Sequence, residues 1–123
     1  MISYEVYKVI HLVGVLMVFL ALGGLITHAA NGGSKNHSWR KPIAITHGIG
    51  LFVSLVGGFG LLARLGIVQG GLPLWVWLKL GIWTFFAALI GVLIRKPAWA
   101  KPVWLLMIIL GALAAYLAGS KPF

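Results

Sequence analysis

The chain has 123 residues, 61% of them hydrophobic and only 9% charged, too few charges to cover a water-facing surface; at about 20 residues per crossing this length holds four spans and no extramembrane catalytic domain. Ten Lys and Arg stand against one acid, Glu5, for a formal charge of +9, and beside apolar spans such an excess follows the positive-inside rule and contact with anionic headgroups rather than nucleic acid binding. The absence of cysteine excludes a disulfide, a thiolate metal site and a covalently attached c-type haem.

The first apolar run extends from Tyr4 to His28 and stops at the breaker cluster Asn31-Gly32-Gly33-Ser34. It is too long for a signal-peptide core and carries Glu5 before Lys8, so it reads as a true span. The second runs from Pro42 to Leu65, with Pro42 suited to a helix's first turn. A turn over Gly66 to Pro73 precedes the third run, Leu74 to Ile94, which Arg95-Lys96-Pro97 ends. The fourth run is Trp99 to Ala118, followed by the tail Gly119-Ser120-Lys121-Pro122-Phe123. The runs lack the alternation of barrel strands, and irregular backbone cannot face lipid. The expected fold is therefore all-α: one polytopic domain, residues 1–123, forming a bundle of four transmembrane helices over 4–28, 42–65, 74–94 and 99–118.

The first connection holds Lys35, Arg40 and Lys41, and the third holds Arg95, Lys96 and Lys101. These six basic residues share one side, which the positive-inside rule makes cytoplasmic, with both termini on the non-cytoplasmic side. Trp39, Trp75, Trp77, Trp99 and Trp104 fall near the span ends, as an interfacial belt requires. Small residues recur at helical spacing: Gly50, Ser54 and Gly57 or Gly58 in the second span, Gly81, Thr84, Ala88 and Gly91 in the third, Gly111, Ala115 and Gly119 in the fourth. Such stripes let helices approach closely; the alternative is that one leaves a slot for a flat ligand. On the second helix, His47 shares its face with Gly50, Ser54 and Gly57, so a macrocycle would lie flat below it.

Ionisable groups inside a bilayer are costly and mark functional positions. The spans contain His11, His28, His47, Lys79 and, at a span end, Arg64, but no carboxylate beyond Glu5 near the N-terminus. A carrier built on a central Glu, a carboxylate-bound di-iron site and an intramembrane aspartyl protease are thereby excluded. His11 and Lys79 each sit roughly 10 Å below the same surface, counted at about 1.5 Å per residue, and can face one another, with Arg64 nearby. His28 and His47 flank the basic first loop at the opposite end. Imidazole is a common axial ligand of haem, and Lys or Arg would pair with its propionates. His11 and His47 are accordingly the candidate metal ligands. Each residue also has a plainer reading: His28 and His47 as interfacial, His37 as solvated, and Lys79 as snorkelling along its long stem.

The segment Tyr7-Lys8-Val9-Ile10-His11-Leu12-Val13-Gly14 resembles the Lys-x-x-His-apolar opening of the HemJ-like family and its CopD and SirB-like relatives. Trp75-Val76-Trp77-Leu78-Lys79-Leu80 resembles that family's Trp-Leu-x-x-Lys-Leu, and the chain ends in a similar Lys121-Pro122-Phe123. The resemblance implies a four-helix membrane bundle binding haem b, with His11 as axial ligand and Lys79 as a partner in the site. It further implies a redox or porphyrin-handling role such as the oxidation of protoporphyrinogen. The chain departs from the pattern at Val18 and Phe19, where relatives often carry Trp, and at Lys96 to Pro102, where a polar Asn-Glu element is missing.

The leading expectation is thus a haem-b-binding protein of the bacterial inner membrane, in contact with the lipid bilayer and with haem or porphyrin. His11 is the ligand, Lys79 and Arg64 are partners for anionic groups, and His28 with His47 forms a separate inner site. A second ligand to His11 would come from its symmetry mate in a homodimer or larger homo-oligomer, or from His47 across a subunit interface. The rival expectation is a non-enzymatic bundle that binds partner proteins or lipids through its Gly-rich faces. A small channel or carrier is a weaker third, because Ser54 and Thr84 are the main polar groups at mid-depth and both can bond their own helix.

Overall fold

A computed structural model describes residues 2–34, 36–66 and 71–120; Lys35, part of the second connection and the Lys121-Pro122-Phe123 tail lie outside the described residues. The elements are α1 (Tyr4–Ala30), α2 (Arg40–Arg64), α3 (Leu74–Arg95), a single 3-10 turn (Pro97–Trp99) and α4 (Ala100–Ser120). All four helices, the last taken with its leading turn, are long and apolar enough to cross a membrane. Their outward faces carry large apolar side chains such as Leu16, Leu20 and Phe52, each more than half exposed. That distribution suits a hydrocarbon solvent and not water.

Local chemistry sets the helix ends close to where the sequence places them. Ser3 caps α1, its Oγ accepting the Val6 N–H at 3.3 Å. At the other end Asn31 Nδ2 donates to the Thr27 carbonyl at 2.8 Å, and Gly32 takes the left-handed conformation, φ 75°, that commonly stops a helix. Helix α2 starts at Arg40, two residues before the expected boundary, so Pro42 occupies its first turn, where a missing N–H does no harm. Lys96 leaves helical geometry immediately before Pro97, as steric crowding from the proline ring dictates.

Helices α1 and α2 run antiparallel and touch through their backbones. A Cβ added to Gly14 would strike the Ser54 backbone and lie 2.8 Å from the Gly50 carbonyl oxygen; one at Gly50 would lie 2.8 Å from Met17 Cβ; one at Gly57 would lie 2.6 Å from His11 Cα. The Tyr7 ring covers Gly60. The stripe on α2 is therefore filled along its length by α1, and the slot for a flat ligand below His47 is not there. Packing of this kind replaces the hydrophobic driving force that lipid removes.

The other helices join through side chains. One apolar cluster unites Val18 and Leu22 of α1 with Phe86, Leu89 and Leu93 of α3 and Met107 of α4. Phe19 meets Phe86 edge to face at 5.3 Å and lies over Gly111 of α4. A second cluster, nearer the termini, holds Leu62, Trp75, Val76 and Leu117. Trp75 is thus a core residue, and the exposed belt comprises Trp39, Trp77, Trp99 and Trp104. Among the described residues the backbones of α2 and α4 make no close approach, and the two helices meet only through the cluster that Leu62 and Leu117 share. The small-residue stripe of α3 points outward: Gly81, Thr84 and Ala88 are exposed, and nothing lies within 4 Å of a Cβ at Gly81 or Gly91.

Gly14→Leu is expected to force α1 from α2 and to destabilise the bundle by about 1–3 kcal/mol or more. Gly81→Ala should be neutral or stabilise by about 0.5–1 kcal/mol through helix propensity. Reversible unfolding in mixed micelles checks both, and equal effects at the two glycines would refute the packing described.

Candidate functional site

His11 projects inward because it shares the core-facing seam of α1 with the buried Gly14, Val18, Leu22 and Leu25, at helical spacings of three and four. Opposite it α2 presents Gly57 and Gly58, which leave room for the imidazole; a Cβ at Gly58 would lie 3.3 Å from Nδ1. His11 Nδ1 stands 2.7 Å from the Ser54 carbonyl oxygen. A carbonyl only accepts, so Nδ1 carries the proton and the neutral ring keeps its lone pair on Nε2. This is the arrangement by which proteins orient an imidazole for ligation. Lys79 of α3, half-buried, lies near enough for its charge to bear on the same ring.

Further polar contacts fall at this level. Trp83 Nε1 donates to the Leu51 carbonyl at 3.0 Å, and Ser54 Oγ donates to the same oxygen at 3.0 Å. Together with His11 and Lys79 they form a polar layer between the two apolar clusters. Arg64, exposed at the last turn of α2, lies about 10 Å beyond Gly57 along that helix. Tyr116 is more than half exposed and takes no part in the layer.

His47 belongs elsewhere. Its side chain is 3% exposed, and its Nε2 donates to the Phe86 carbonyl at 3.0 Å, tying α2 to α3. It lies about 15 Å along α2 from Gly57, so it does not reach a ligand held by His11 of the same chain. His28 does not pair with His47 either. Its Nε2 donates to the Ser34 carbonyl at 2.7 Å, its ring packs against Gly33, and it stacks on His37 with centroids 4.0 Å apart. His37, expected to be solvated, is half-buried, and its Nε2 is buried without a hydrogen-bond partner. The signal for this pair was the turn at Gly32-Gly33, which folds the loop back onto α1.

The donor set fits one axial imidazole beside an ammonium group. It does not fit a bare metal ion, since among the described residues no three His, Cys, Asp or Glu gather. A porphyrin ligated at His11 would take its second imidazole from another chain or have none.

Burial, followed by the neighbouring charges of His28 and Arg40, holds His37 below the ordinary imidazole value of 6.5. A lowered value means that the folded chain binds a proton less readily than the unfolded one. The His28–His37 stack therefore contributes fully above pH 6.5 and weakens as pH falls below it. The His37 Cε1 proton should titrate by NMR with a midpoint below 6.5, and a midpoint above it would contradict this packing. Replacing His47 with Ala should cost about 1 kcal/mol in micelle unfolding, the usual worth of an interhelical hydrogen bond in lipid.

No protein-family model matches the chain, and neither a curated protein nor a solved structure does.

Proposed function

We propose that the chain is a haem-b-binding protein of the bacterial inner membrane with a redox or porphyrin-handling role, its termini on the non-cytoplasmic side. The observation that carries this reading is the His11 imidazole, held by the Ser54 carbonyl at 2.7 Å so that Nε2 keeps its lone pair within a water-poor layer. When bound there, haem supplies a one-electron couple. The chain's own part is to orient the imidazole through α2, to exclude water with the Leu62, Trp75, Val76 and Leu117 cluster, and to offer Lys79, with Arg64 nearer the surface, to propionates. A second His11 from a symmetry mate would complete a six-coordinate site in a homodimer. HemJ-like oxidation of protoporphyrinogen is the specific reaction that the sequence resemblance adds.

A second reading, a non-enzymatic bundle that binds a partner helix, draws on the outward stripe of α3, where Gly81 and Gly91 have open space before them.

The visible spectrum of detergent-purified protein, before and after dithionite and with a pyridine haemochrome assay, separates the two. The haem reading expects a Soret band with sharp reduced α and β bands, lost in His11→Ala and retained in His47→Ala. A colourless protein after expression with added haem, or full haem content in His11→Ala, would overturn it and leave the partner-binding bundle. In the family of Lys79 variants, Lys79→Met should weaken haem retention about tenfold and Lys79→Arg much less, as one buried charge-assisted contact predicts.

A further inference from the structure

At the end of the bundle away from His11, a pocket of about 410 Å³ opens between α1, α2 and α3. Its walls are apolar, with Leu25, Ile43, Ile90 and Ile94 among them, and its polar lining includes His28, His37 and Arg40. A shallower depression beside it shares His37, Arg40 and Ala44 and adds Lys41. His37 and Arg40 therefore stand between an apolar crevice and an outer basic hollow.

The polar groups here have more donors than the chain uses. His37 Nε2 is buried with no partner. Arg40 Nη1 donates to Asn36 Oδ1 at 3.0 Å, one of five N–H groups on a guanidinium. No carboxylate is at hand to supply counter-charge, because the one acid, Glu5, sits in the first turn of α1 at the other end of that 27-residue helix. The matching ligand carries a compact anion with several acceptor oxygens and an apolar tail long enough to enter the crevice.

We propose that this pocket binds one anionic phospholipid, its phosphate held by Arg40 and His37 and one acyl chain lying along Ile43, Ile90 and Ile94. The pocket stands at a span end, the depth of a headgroup. The basic residues Arg40, Lys41, Arg95, Lys96 and Lys101 belong to the same end of the bundle, which draws anionic lipid to it. A zwitterionic lipid brings its own cation to the phosphate and gains less from Arg40. The site is independent of His11 and of any haem held there.

Native mass spectrometry of the full chain, released from nanodiscs of equal phosphatidylglycerol and phosphatidylcholine, tests the proposal. Wild type is expected to retain one phosphatidylglycerol in preference to phosphatidylcholine by about fivefold or more. Arg40→Gln combined with His37→Gln should abolish the preference, while Arg95→Gln, at the same end but outside the pocket, should preserve it. An unchanged preference for phosphatidylglycerol in the double variant would overturn the proposal, reducing the effect to general surface charge. Where the variant does not purify, short-chain phosphatidylglycerol titrated into wild type should move the His37 and His28 Cε1 NMR signals, and phosphatidylcholine should not. Identical shifts from inorganic phosphate at the same concentration would assign the pocket to a free anion, and no shift from phosphatidylglycerol would refute it.

Discussion

The rest of the bundle depends on the contact of Gly14 with Gly50 and Ser54. Lipid offers helices no hydrophobic reason to associate, so close backbone approach must supply the attraction. Only glycine permits it at positions 14 and 50, because a Cβ at either would strike the facing backbone. Once the two helices touch there, His11 is carried against Gly57 and Gly58, and its ring nitrogen meets the Ser54 carbonyl. The polar layer is thus a by-product of the register that the glycines impose. The wider separations from α1 to α3 and α4 are filled by Leu22, Phe86, Leu89 and Met107, with Phe19 over Gly111 as the tightest point.

Charge acts on a larger scale. Ten basic residues and one acid leave most of the counter-charge to be found outside the chain, and a membrane supplies it at the headgroups or through an acidic ligand. The two ends of the bundle meet this need differently. Near the termini, Lys79 lies one polar layer deep beside an oriented imidazole. At the loop end, Arg40 and the stacked His28 and His37 border an apolar crevice. Both places join cationic donors to greasy walls, the chemistry of an amphiphile with an acid group.

The spans were legible because each is bounded by residues with a physical reason to end a helix, such as Gly32 and Pro97. Counting depth along ideal helices also puts His11 and Lys79 at one level. What could not be read was rotation about each helix axis. The stripe Gly50, Ser54 and Gly57 is equally suited to a neighbour or a slot, and only the position of α1 decides between them. Trp75 and Trp77 are two residues apart, about 200° around a helix, so one enters the core while the other faces out. The His28–His37 pair depends on a positive φ at Gly32, and loop conformation of that kind leaves no periodic trace in sequence.

Three hydrogen bonds between helices share a property with evolutionary weight. His11, His47 and Trp83 each reach to a main-chain oxygen, of Ser54, Phe86 and Leu51 respectively. An acceptor of that sort is present whatever side chain its residue carries. Each of these three tethers therefore has one heritable half and one that is given by the helix itself. Divergence can rewrite positions 51, 54 and 86 for volume alone, and the polar bond survives so long as the backbone holds its place. A lineage under such conditions would keep its donors and let their partners drift, so that paired substitution, the usual mark of contact between residues, would be faint along the axis of this bundle.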